Sequence, residues 1–454
     1  MSIVSINPAT GKIIAKYEEF SEQEIEERLA RAEAAFERHK RTSFAERARK
    51  MLRAADLLES NADVLAARMT REMGKPITQA NAEARKCAWV CRYYAENAEQ
   101  FLQPEPVDTD ASRSYVAFLP LGPILAIMPW NFPFWQVFRF VAPALMSGNV
   151  ALLKHASNVM GCAQDIEQLL NEAGFNQDEF QALIVSSGAV PRIIEDDRIR
   201  AVTLTGGEGA GRSVGSIAGK MLKPTVLELG GSDPFIVLAD ADLDDAVETG
   251  VNSRMQNNGQ SCIAAKRFIV EEAVMDAFLD RFAAKIGELK IGDPMETSTN
   301  IGPVATEQTL EGLEKQVSRS VEQGATVLMG GERLDREGFY FEPTILTGVK
   351  PGMVAFEEEI FGPVASVIAA RDVDHAVELA NQCPFGLGGA VFTRDEKKGE
   401  EVALRLEVGS AFVNGMVKSD PRLPFGGIKA SGYGRELSSY GIREFVNIKT
   451  VWIA

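Results

Sequence analysis

The sequence has few of the residues that metal sites and disulfide frameworks require. Its 454 residues include only three histidines and five cysteines. The histidines (His39, His155 and His375) are scattered, and none stands with cysteines at metal-ligand spacing, which argues against a zinc mechanism. Their scarcity also disfavours a hydrolase in which a histidine activates a cysteine. The cysteines show no tight pairing, which suits a reducing compartment. We therefore predict no bound metal and a cytoplasmic location.

Long apolar runs and an excess of positive charge are also missing. No stretch reaches the roughly 18 apolar residues of a membrane span, and the best candidate, residues 116–128, is interrupted by two prolines and a glycine. The N-terminus has no basic segment followed by an apolar one, so we predict no secretory signal. The net charge of −16 argues against nucleic acid or an anionic membrane as a partner. An anionic substrate would therefore have to be attracted by a local basic group.

A chain of this length is too long for one hydrophobic core, so two or three domains are expected. The first hundred residues follow helical patterns throughout. Capping boxes precede two amphipathic runs, and two more helical patterns follow them. These features are Ser21-x-x-Glu24, Ser43-x-x-Glu46, residues 61–73 and residues 77–101.

From residue 122 onwards, short apolar runs alternate with helical segments, which predicts a parallel α/β sheet. A second alternation of the same kind begins after Gly231 and continues to about residue 415. Residues 445–453 alternate like a strand, and an apolar strand at a chain end favours pairing with a partner subunit. The strands predicted in the first alternation are 124–128, 150–153, 183–185, 201–204 and 226–229.

One cysteine stands in a setting that suits catalysis. Cys262 follows the polar turn Gly259-Gln260-Ser261 and precedes an apolar run. A bend of this kind can present a thiolate to a cavity beside a backbone N–H that stabilises an oxyanion. The alternative is an inert, buried thiol, because cysteine is among the most often buried residues.

Three further segments accompany this cysteine and decide between the two interpretations. Together with Cys262 they resemble the aldehyde dehydrogenase superfamily, and the resemblance covers nearly the whole chain. It implies two parallel α/β domains, a Rossmann-like cofactor domain and a catalytic domain, with a small β extension for oligomerisation as a homodimer or homotetramer. The segments are Pro129-Trp130-Asn131-Phe132-Pro133, Leu227-Glu228-Leu229-Gly230-Gly231 and Glu358-Glu359-Ile360-Phe361-Gly362-Pro363.

The resemblance also implies domain boundaries. The cofactor-binding domain is expected over 1–105 and 122–231, and the catalytic domain over 232–428. The oligomerisation strands are expected over 106–121 and 429–454.

Two residues are predicted to assist the nucleophile Cys262. Asn131 matches the family's oxyanion donor, although an asparagine between two prolines could equally serve only to form a turn. Glu228 lies between two leucines at a strand end, where burial should raise its pKa and suit it to activate a water molecule. Its alternative is a solvated edge glutamate.

For the cofactor, the resemblance implies NAD or NADP. No Gly-x-Gly-x-x-Gly fingerprint occurs, but the glycines from Gly206 onwards follow a strand and open a helix, whose N–H groups can bind a pyrophosphate. Lys154 would bind the adenosine ribose. Ser157 stands where a glutamate would repel a 2′-phosphate, so NADP should be tolerated. The remaining cofactor residues are predicted to be Trp130, His155 (by adding positive charge), Gly206, Gly207, Glu208, Gly211, Leu229, Glu359 and Phe361.

The substrate side is predicted from a narrower resemblance to succinate-semialdehyde dehydrogenases. Arg139 lies on an apolar helix face eight residues after Asn131, where it either reaches the surface or binds an anionic substrate. Ser419 matches a serine of that subfamily. A second arginine of the subfamily is replaced by Gln256. Arg254 and Lys418 are near in sequence, and the sequence leaves open whether either of them assists Arg139.

We therefore predict an NAD(P)-dependent aldehyde dehydrogenase that acts through a thiohemiacetal and a thioester on Cys262, with succinate semialdehyde as the preferred substrate. A neutral aliphatic or aromatic aldehyde is the first alternative, and a non-catalytic structural relative is the second. A CoA-acylating enzyme is disfavoured, because a water-activating Glu228 would hydrolyse the thioester first.

Overall fold

The computed structural model describes residues 2–454, and its chain opens with a β-hairpin rather than a helix. Strands β1 (Ser2–Ile6) and β2 (Ile13–Glu18) pair in antiparallel fashion, so the prediction of an entirely helical first hundred residues is wrong here. Each strand is too short for its alternation to stand out in the sequence. Four helices follow: α1 (Glu22–His39), α2 (Phe44–Ser60), α3 (Ala62–Met73) and α4 (Ile77–Phe101).

The capping predictions are met to different extents. At α1, the Ser21 side chain accepts from the Glu24 N–H, and the Glu24 carboxylate accepts from the Ser21 N–H, so the capping box is complete. At α2, Ser43 accepts from the Glu46 N–H. Gly74 ends α3 with φ +81°, and a Cβ there would lie 2.7 Å from the Pro303 carbonyl oxygen, so the position requires glycine.

The middle of the chain builds one parallel sheet and its covering helices. The elements are β3 (Glu105–Pro106), β4 (Arg113–Pro120), β5 (Pro123–Met128), α5 (Trp135–Met146), β6 (Val150–His155), α6 (Met160–Glu172), β7 (Phe180–Ala182), α7 (Val190–Glu195), β8 (Ala201–Thr205), α8 (Glu208–Lys220) and β9 (Thr225–Glu228).

The rest of the chain builds a second sheet and returns to the first. The elements are β10 (Asp233–Val237), α9 (Leu243–Met255), β11 (Ala265–Glu271), α10 (Met275–Gly287), α11 (Glu307–Glu322), β12 (Thr326–Met329), β13 (Thr344–Thr347), α12 (Val354–Glu357), β14 (Val364–Ala370), α13 (Val373–Asn381), β15 (Phe385–Gly386), β16 (Gly388–Phe392), α14 (Glu396–Arg405), β17 (Ser410–Val413), β18 (Ile428–Lys429), β19 (Gly432–Tyr433), α15 (Ser438–Arg443) and β20 (Val446–Ile453).

The first large sheet has the order β19-β9-β8-β5-β6-β7, and all its pairs are parallel except β19 with β9. The strand predicted at 183–185 lies instead at Phe180–Ala182, because this apolar stretch continues past the point where pairing with β6 ends. Parallel strands end at the same edge of a sheet. The segments after β5, β6, β8 and β9 therefore meet there, and they carry most of the predicted site residues.

The second large sheet has the order β12-β13-β14-β11-β10-β16-β17 and is parallel except for β12. Cys262 lies in the loop between α9 and β11, and Glu359 and Phe361 lie just before β14. Two α/β units with parallel sheets are thus present, as the sequence predicts.

A separate three-stranded antiparallel sheet has the order β20-β4-β3. Strand β20 pairs with β4 from Val446 to Ile453 and is an edge strand of this sheet. It carries exposed apolar side chains such as Ile448 and Trp452. Gly432 and Tyr433, which the predicted oligomerisation segment includes, pair instead with β9 in the six-stranded sheet. No helix within residues 2–454 has the length and apolar character needed to cross a membrane.

Candidate active site

The loop that carries Cys262 is held in an uncommon backbone conformation. Asn257, Asn258 and Gly259 all have positive φ, at +54°, +57° and +74°. Asparagine tolerates this left-handed region better than most residues, and glycine tolerates it without penalty. A Cβ at Gly259 would also overlap the carbonyl of Gly362, so this position admits only glycine. The bend turns the chain from α9 towards β11 and leaves Cys262 half-buried beside the cavities described below.

Side chains of the two asparagines fix this bend to its surroundings. Asn258 donates to the carbonyl oxygens of Gly74 and Pro303. Asn257 donates to the carbonyl oxygens of Asn131 and Gln260, at 2.8 and 2.9 Å. The Cys262 loop and the Asn131 loop are therefore joined directly. Sequence reasoning missed both roles, although the Asn-Asn-Gly run is typical of left-handed backbone.

Cys262 lies between two cavities. One, of about 280 Å³, is lined by residues of α4, α5 and the 416–419 loop. The other, of about 200 Å³, lies towards the first sheet and its lining includes Trp130 and Glu359. Burial raises the pKa of the Cys262 thiol to about 12, while Arg139 and Lys266 act in the opposite direction. The thiol is therefore protonated at neutral pH in this state, and its activation needs a base or a further positive charge.

Asn131 has a geometry that fits an oxyanion donor. Its side chain is buried and lines the smaller cavity together with Cys262. The amide Nδ2 donates to the Gln260 carbonyl at 3.1 Å, which fixes the side chain and leaves its second N–H free for a reacting oxygen. The turn-forming interpretation does not require such a bond to the Cys262 loop.

Glu228 is buried, as predicted, but its side chain lines neither of the two cavities at Cys262. Its Oε1 lies against Gly426, where an added Cβ would come within 2.7 Å. Burial and the like charge of Glu436 raise its pKa well above the ordinary range, while Arg139 and Arg435 oppose the shift. This environment suits a base. Its carboxyl group must turn towards Cys262 to act on a water molecule there.

Arg139 already has a counter-ion in the protein. It forms a buried ion pair with Glu436, lies 4.6 Å from the centroid of the Phe425 ring, and reaches Thr205 Oγ1 at 3.4 Å. The two alternatives predicted from the sequence, a surface position or an anionic substrate, did not include a counter-ion within the protein. The sequence could not reveal this, because Glu436 follows almost 300 positions later. Arg139 still lines the larger cavity.

Other polar groups line the larger cavity, and one of them, Lys86, was not predicted from the sequence as a site residue. Lys86, on α4, donates to Ser419 Oγ at 2.8 Å. Lys418 is exposed at the same cavity. Arg254 is buried elsewhere and donates to backbone carbonyls, including those of Gly259 and Ala265, so it is not part of this wall. Of the two cations near Gln256 and Ser419 in the sequence, Lys418 lines this cavity and Arg254 does not.

The smaller cavity brings together the predicted nicotinamide-side residues. Trp130 and Phe361 meet edge to face with their ring centroids 5.7 Å apart. Glu359 accepts from the Gly231 N–H at 3.1 Å, and its carboxylate lies 3.4 Å from Lys266 Nζ. Lys266 also donates to the Cys262 carbonyl at 2.8 Å, which links this carboxylate to the cysteine loop. Gly206, Gly207 and Leu229 complete the wall.

The strand ends of the first sheet offer further groups to a nucleotide. Gly207 is the N-cap of α8 and has no capping side chain, so the first N–H groups of this 13-residue helix are available to a phosphate. Glu208, in the first turn, is paired with Arg212. Lys154 is half-buried at the end of β6, and burial lowers its pKa; it makes no ion pair with a described residue. Ser157, three residues on, is exposed.

His155 does not fit its predicted role. It is fully buried, the Ala156 N–H donates to its Nδ1, and its Nε2 lies 2.9 Å from the Pro133 carbonyl oxygen. Burial lowers its pKa to about 4, so it is neutral near pH 7. The expectation that it adds positive charge is wrong. Gly211 likewise has a packing role, because a Cβ there would lie 2.5 Å from the Leu229 side chain.

Comparison with known proteins agrees with this geometry. The model of the aldehyde dehydrogenase family matches residues 1–451. The chain belongs to the aldehyde dehydrogenase family. It is 54% identical, over the full length of both chains, to a protein of Mycobacterium tuberculosis named succinate-semialdehyde dehydrogenase [NADP(+)] 1. It is 52% identical, again over both full lengths, to a Synechocystis protein named probable succinate-semialdehyde dehydrogenase [NADP(+)].

A solved structure shares the fold closely. The succinic semialdehyde dehydrogenase of Streptococcus pyogenes, determined in complex with NADP+, superposes with a TM-score of 0.98 at 37% identity and 99% coverage of each chain. For an aldehyde dehydrogenase, two cavities that meet at one thiol are the expected arrangement, because aldehyde and nicotinamide must reach the same carbon. Within residues 2–454, no group of three His, Cys, Asp or Glu side chains is arranged to hold a metal ion.

Proposed function

We propose that this aldehyde dehydrogenase oxidises succinate semialdehyde to succinate with NADP+ as the hydride acceptor. The observation that carries the proposal is the position of Cys262 between a cavity lined by cationic side chains and a second cavity lined by the predicted nicotinamide-side residues. The names of the similar proteins support the same substrate and cofactor.

In the first half of the reaction, Cys262 gives its thiol proton to solvent water, and its Sγ bonds to the aldehyde carbon. The carbonyl oxygen becomes an oxyanion, which the free N–H of the Asn131 amide stabilises. The Cys262 backbone N–H, which donates to no described residue, can serve as a second donor. NADP+, when bound, supplies the hydride acceptor and a positive charge. The C–H bond of the former aldehyde carbon breaks with loss of hydride to that acceptor, the carbonyl re-forms, and Cys262 is held as a thioester.

In the second half, Glu228 removes a proton from water, whose oxygen bonds to the thioester carbon. The carbon–sulfur bond breaks, succinate leaves and the Cys262 thiol is restored. A raised pKa on Glu228 suits this task, because the carboxyl group then binds the proton more strongly than an exposed glutamate would.

The residues present fit a nucleotide that carries a 2′-phosphate. Lys154 is a half-buried cation with no acidic partner among residues 2–454, and Ser157 beside it brings no negative charge. The uncapped N-terminus of α8 fits the pyrophosphate, and Glu359 and Phe361 fit the nicotinamide ribose side. We propose the six-stranded sheet as the cofactor domain and the seven-stranded sheet as the catalytic domain.

We further propose a homodimer or homotetramer in the cytoplasm. The exposed apolar side chains of β20 and β4 support association through the three-stranded sheet. All five cysteines are free, and the nucleophile needs a reducing compartment to remain so.

A substrate and cofactor panel tests the proposed function. Succinate semialdehyde and butanal are assayed with NADP+ and with NAD+ by the absorbance of the reduced nicotinamide. We expect the highest kcat/KM for succinate semialdehyde with NADP+. A higher kcat/KM for butanal would contradict the substrate, and a higher value with NAD+ would contradict the cofactor.

A further inference from the structure

Lys86 is a cation in the wall of the substrate cavity that the proposed chemistry does not use. It lies on α4, and the same cavity is lined by Cys262. Its Nζ donates to Ser419 Oγ at 2.8 Å and lies 4.2 Å from the centroid of the Trp135 ring. Two other elements, the 416–419 loop and α5, therefore hold the ammonium group of this α4 residue in place.

The charge of Lys86 has no counter-ion in the protein. The acidic side chains that act on it, Glu83 and Asp420, are committed to Lys75 and Arg422. No carboxylate within residues 2–454 forms an ion pair with it at the usual limit of 4.0 Å. Its hydrogen-bond partner, the Ser419 hydroxyl, is neutral and itself buried.

The two other cations of the cavity are in a different situation. Arg139 is neutralised by the buried carboxylate of Glu436. Lys418 is exposed, so solvent screens its charge. Lys86 is the partly buried cation whose charge remains unpaired. Burial and the nearby Arg139 lower its pKa to about 8, so the charged form is held at a cost that an anion in the cavity would offset.

We propose that Lys86, held by Ser419 and Trp135, binds the carboxylate of the substrate and sets the preference for an aldehyde with a terminal carboxylate. The inference rests on the proposed function, because it names the group that recognises succinate semialdehyde. An ammonium group can donate to a carboxylate while it keeps its bond to Ser419, since it has three donors. Arg139 lines the same cavity but already has Glu436 as its counter-ion.

The test compares Lys86→Met, which keeps the length of the side chain and removes its charge, with Lys86→Arg, which keeps the charge. Lys418→Met is the matched control, because it removes a cation from the same cavity at an exposed position. Each variant is assayed with succinate semialdehyde and with butanal, which has no carboxylate. Thermal unfolding with and without succinate reports binding of the product without turnover.

We expect Lys86→Met to lower kcat/KM for succinate semialdehyde by about 30-fold or more, mainly through KM. Its kcat/KM for butanal should change by less than about threefold, since only the charged contact is lost. Succinate should raise the unfolding temperature of the parent enzyme and of Lys418→Met but not of Lys86→Met. Lys86→Arg should keep a clear preference for succinate semialdehyde.

Equal loss of activity on both substrates in Lys86→Met, or an unchanged preference, would overturn the inference. If the variant unfolds, Lys86→Gln replaces it with the same expected outcome. A parent enzyme that prefers butanal would instead contradict the proposed function, so the two failures are distinguishable. If Lys418→Met lowers kcat/KM for succinate semialdehyde as much as Lys86→Met does, the overall charge of the cavity attracts the anion. That result would also overturn the inference.

Discussion

Replacement of Arg139 by methionine should damage the enzyme through its ion pair rather than through substrate binding. Arg139 and Glu436 are almost completely buried, and they pair with each other. Removal of the arginine leaves the Glu436 carboxylate without its partner beside Glu228. Breaking a buried pair in this way costs about 3–5 kcal/mol of stability. Arg139→Met should therefore lower the unfolding temperature by several degrees.

The kinetic consequence follows from the same contact. Arg139 opposes the upward pKa shifts of both Glu228 and Glu436, so its loss should raise the Glu228 pKa further and slow deacylation. We expect kcat to fall by a similar factor for succinate semialdehyde and for butanal. Steady-state kinetics with the two substrates and thermal unfolding of the variant measure both effects.

A double substitution separates this account from a carboxylate-binding role. Glu436→Gln in the Arg139→Met background removes the unpaired charge and should recover most of the lost stability, since both members of the pair are then neutral. If Arg139 instead binds the substrate carboxylate, Arg139→Met should lower kcat/KM by at least about 30-fold for succinate semialdehyde and change it little for butanal. That selective result, with an unchanged unfolding temperature, would refute the structural reasoning.

Two further predictions concern the other site residues. Glu228→Gln should still give a burst of reduced nicotinamide but turn over slowly, and full steady-state activity of this variant would remove Glu228 as the base. Because the Glu228 pKa is raised, the parent enzyme should deacylate faster as the pH rises and more of this carboxylate is ionised. Ser157→Glu should move preference from NADP+ towards NAD+ by repulsion of the 2′-phosphate, and an unchanged ratio of kcat/KM for the two cofactors would place selection elsewhere.

Local patterns predicted much of the fold. The long helices and the parallel strands were visible because periodicity and capping are encoded within a few neighbouring residues. The hairpin of β1 and β2 was missed because short strands carry little periodic signal. The strand at 183–185 was misplaced because an apolar run does not mark where its pairing with β6 ends.

The candidate site was predicted in part. Cys262, Asn131 and the nicotinamide-side residues do converge, since each is marked by a local motif. The ion pair of Arg139 with Glu436 and the contact of Lys86 with Ser419 depend on segments far apart in the chain; Lys86 and Ser419 are 333 positions apart. The burial of His155 likewise depends on how the Pro133 loop packs over β6. Such partners follow from tertiary packing, which a local pattern does not specify.

The central claim is that Cys262 carries the acyl group of succinate semialdehyde during oxidation. The most direct measurement mixes the Glu228→Gln enzyme with NADP+ and succinate semialdehyde, stops the reaction after the burst, and locates the added mass by peptide mass spectrometry. We predict a succinyl group on the peptide that contains Cys262 and none in the Cys262→Ala control, which should also show no burst. A burst of equal size in Cys262→Ala, or a succinyl group on another residue, would contradict the account.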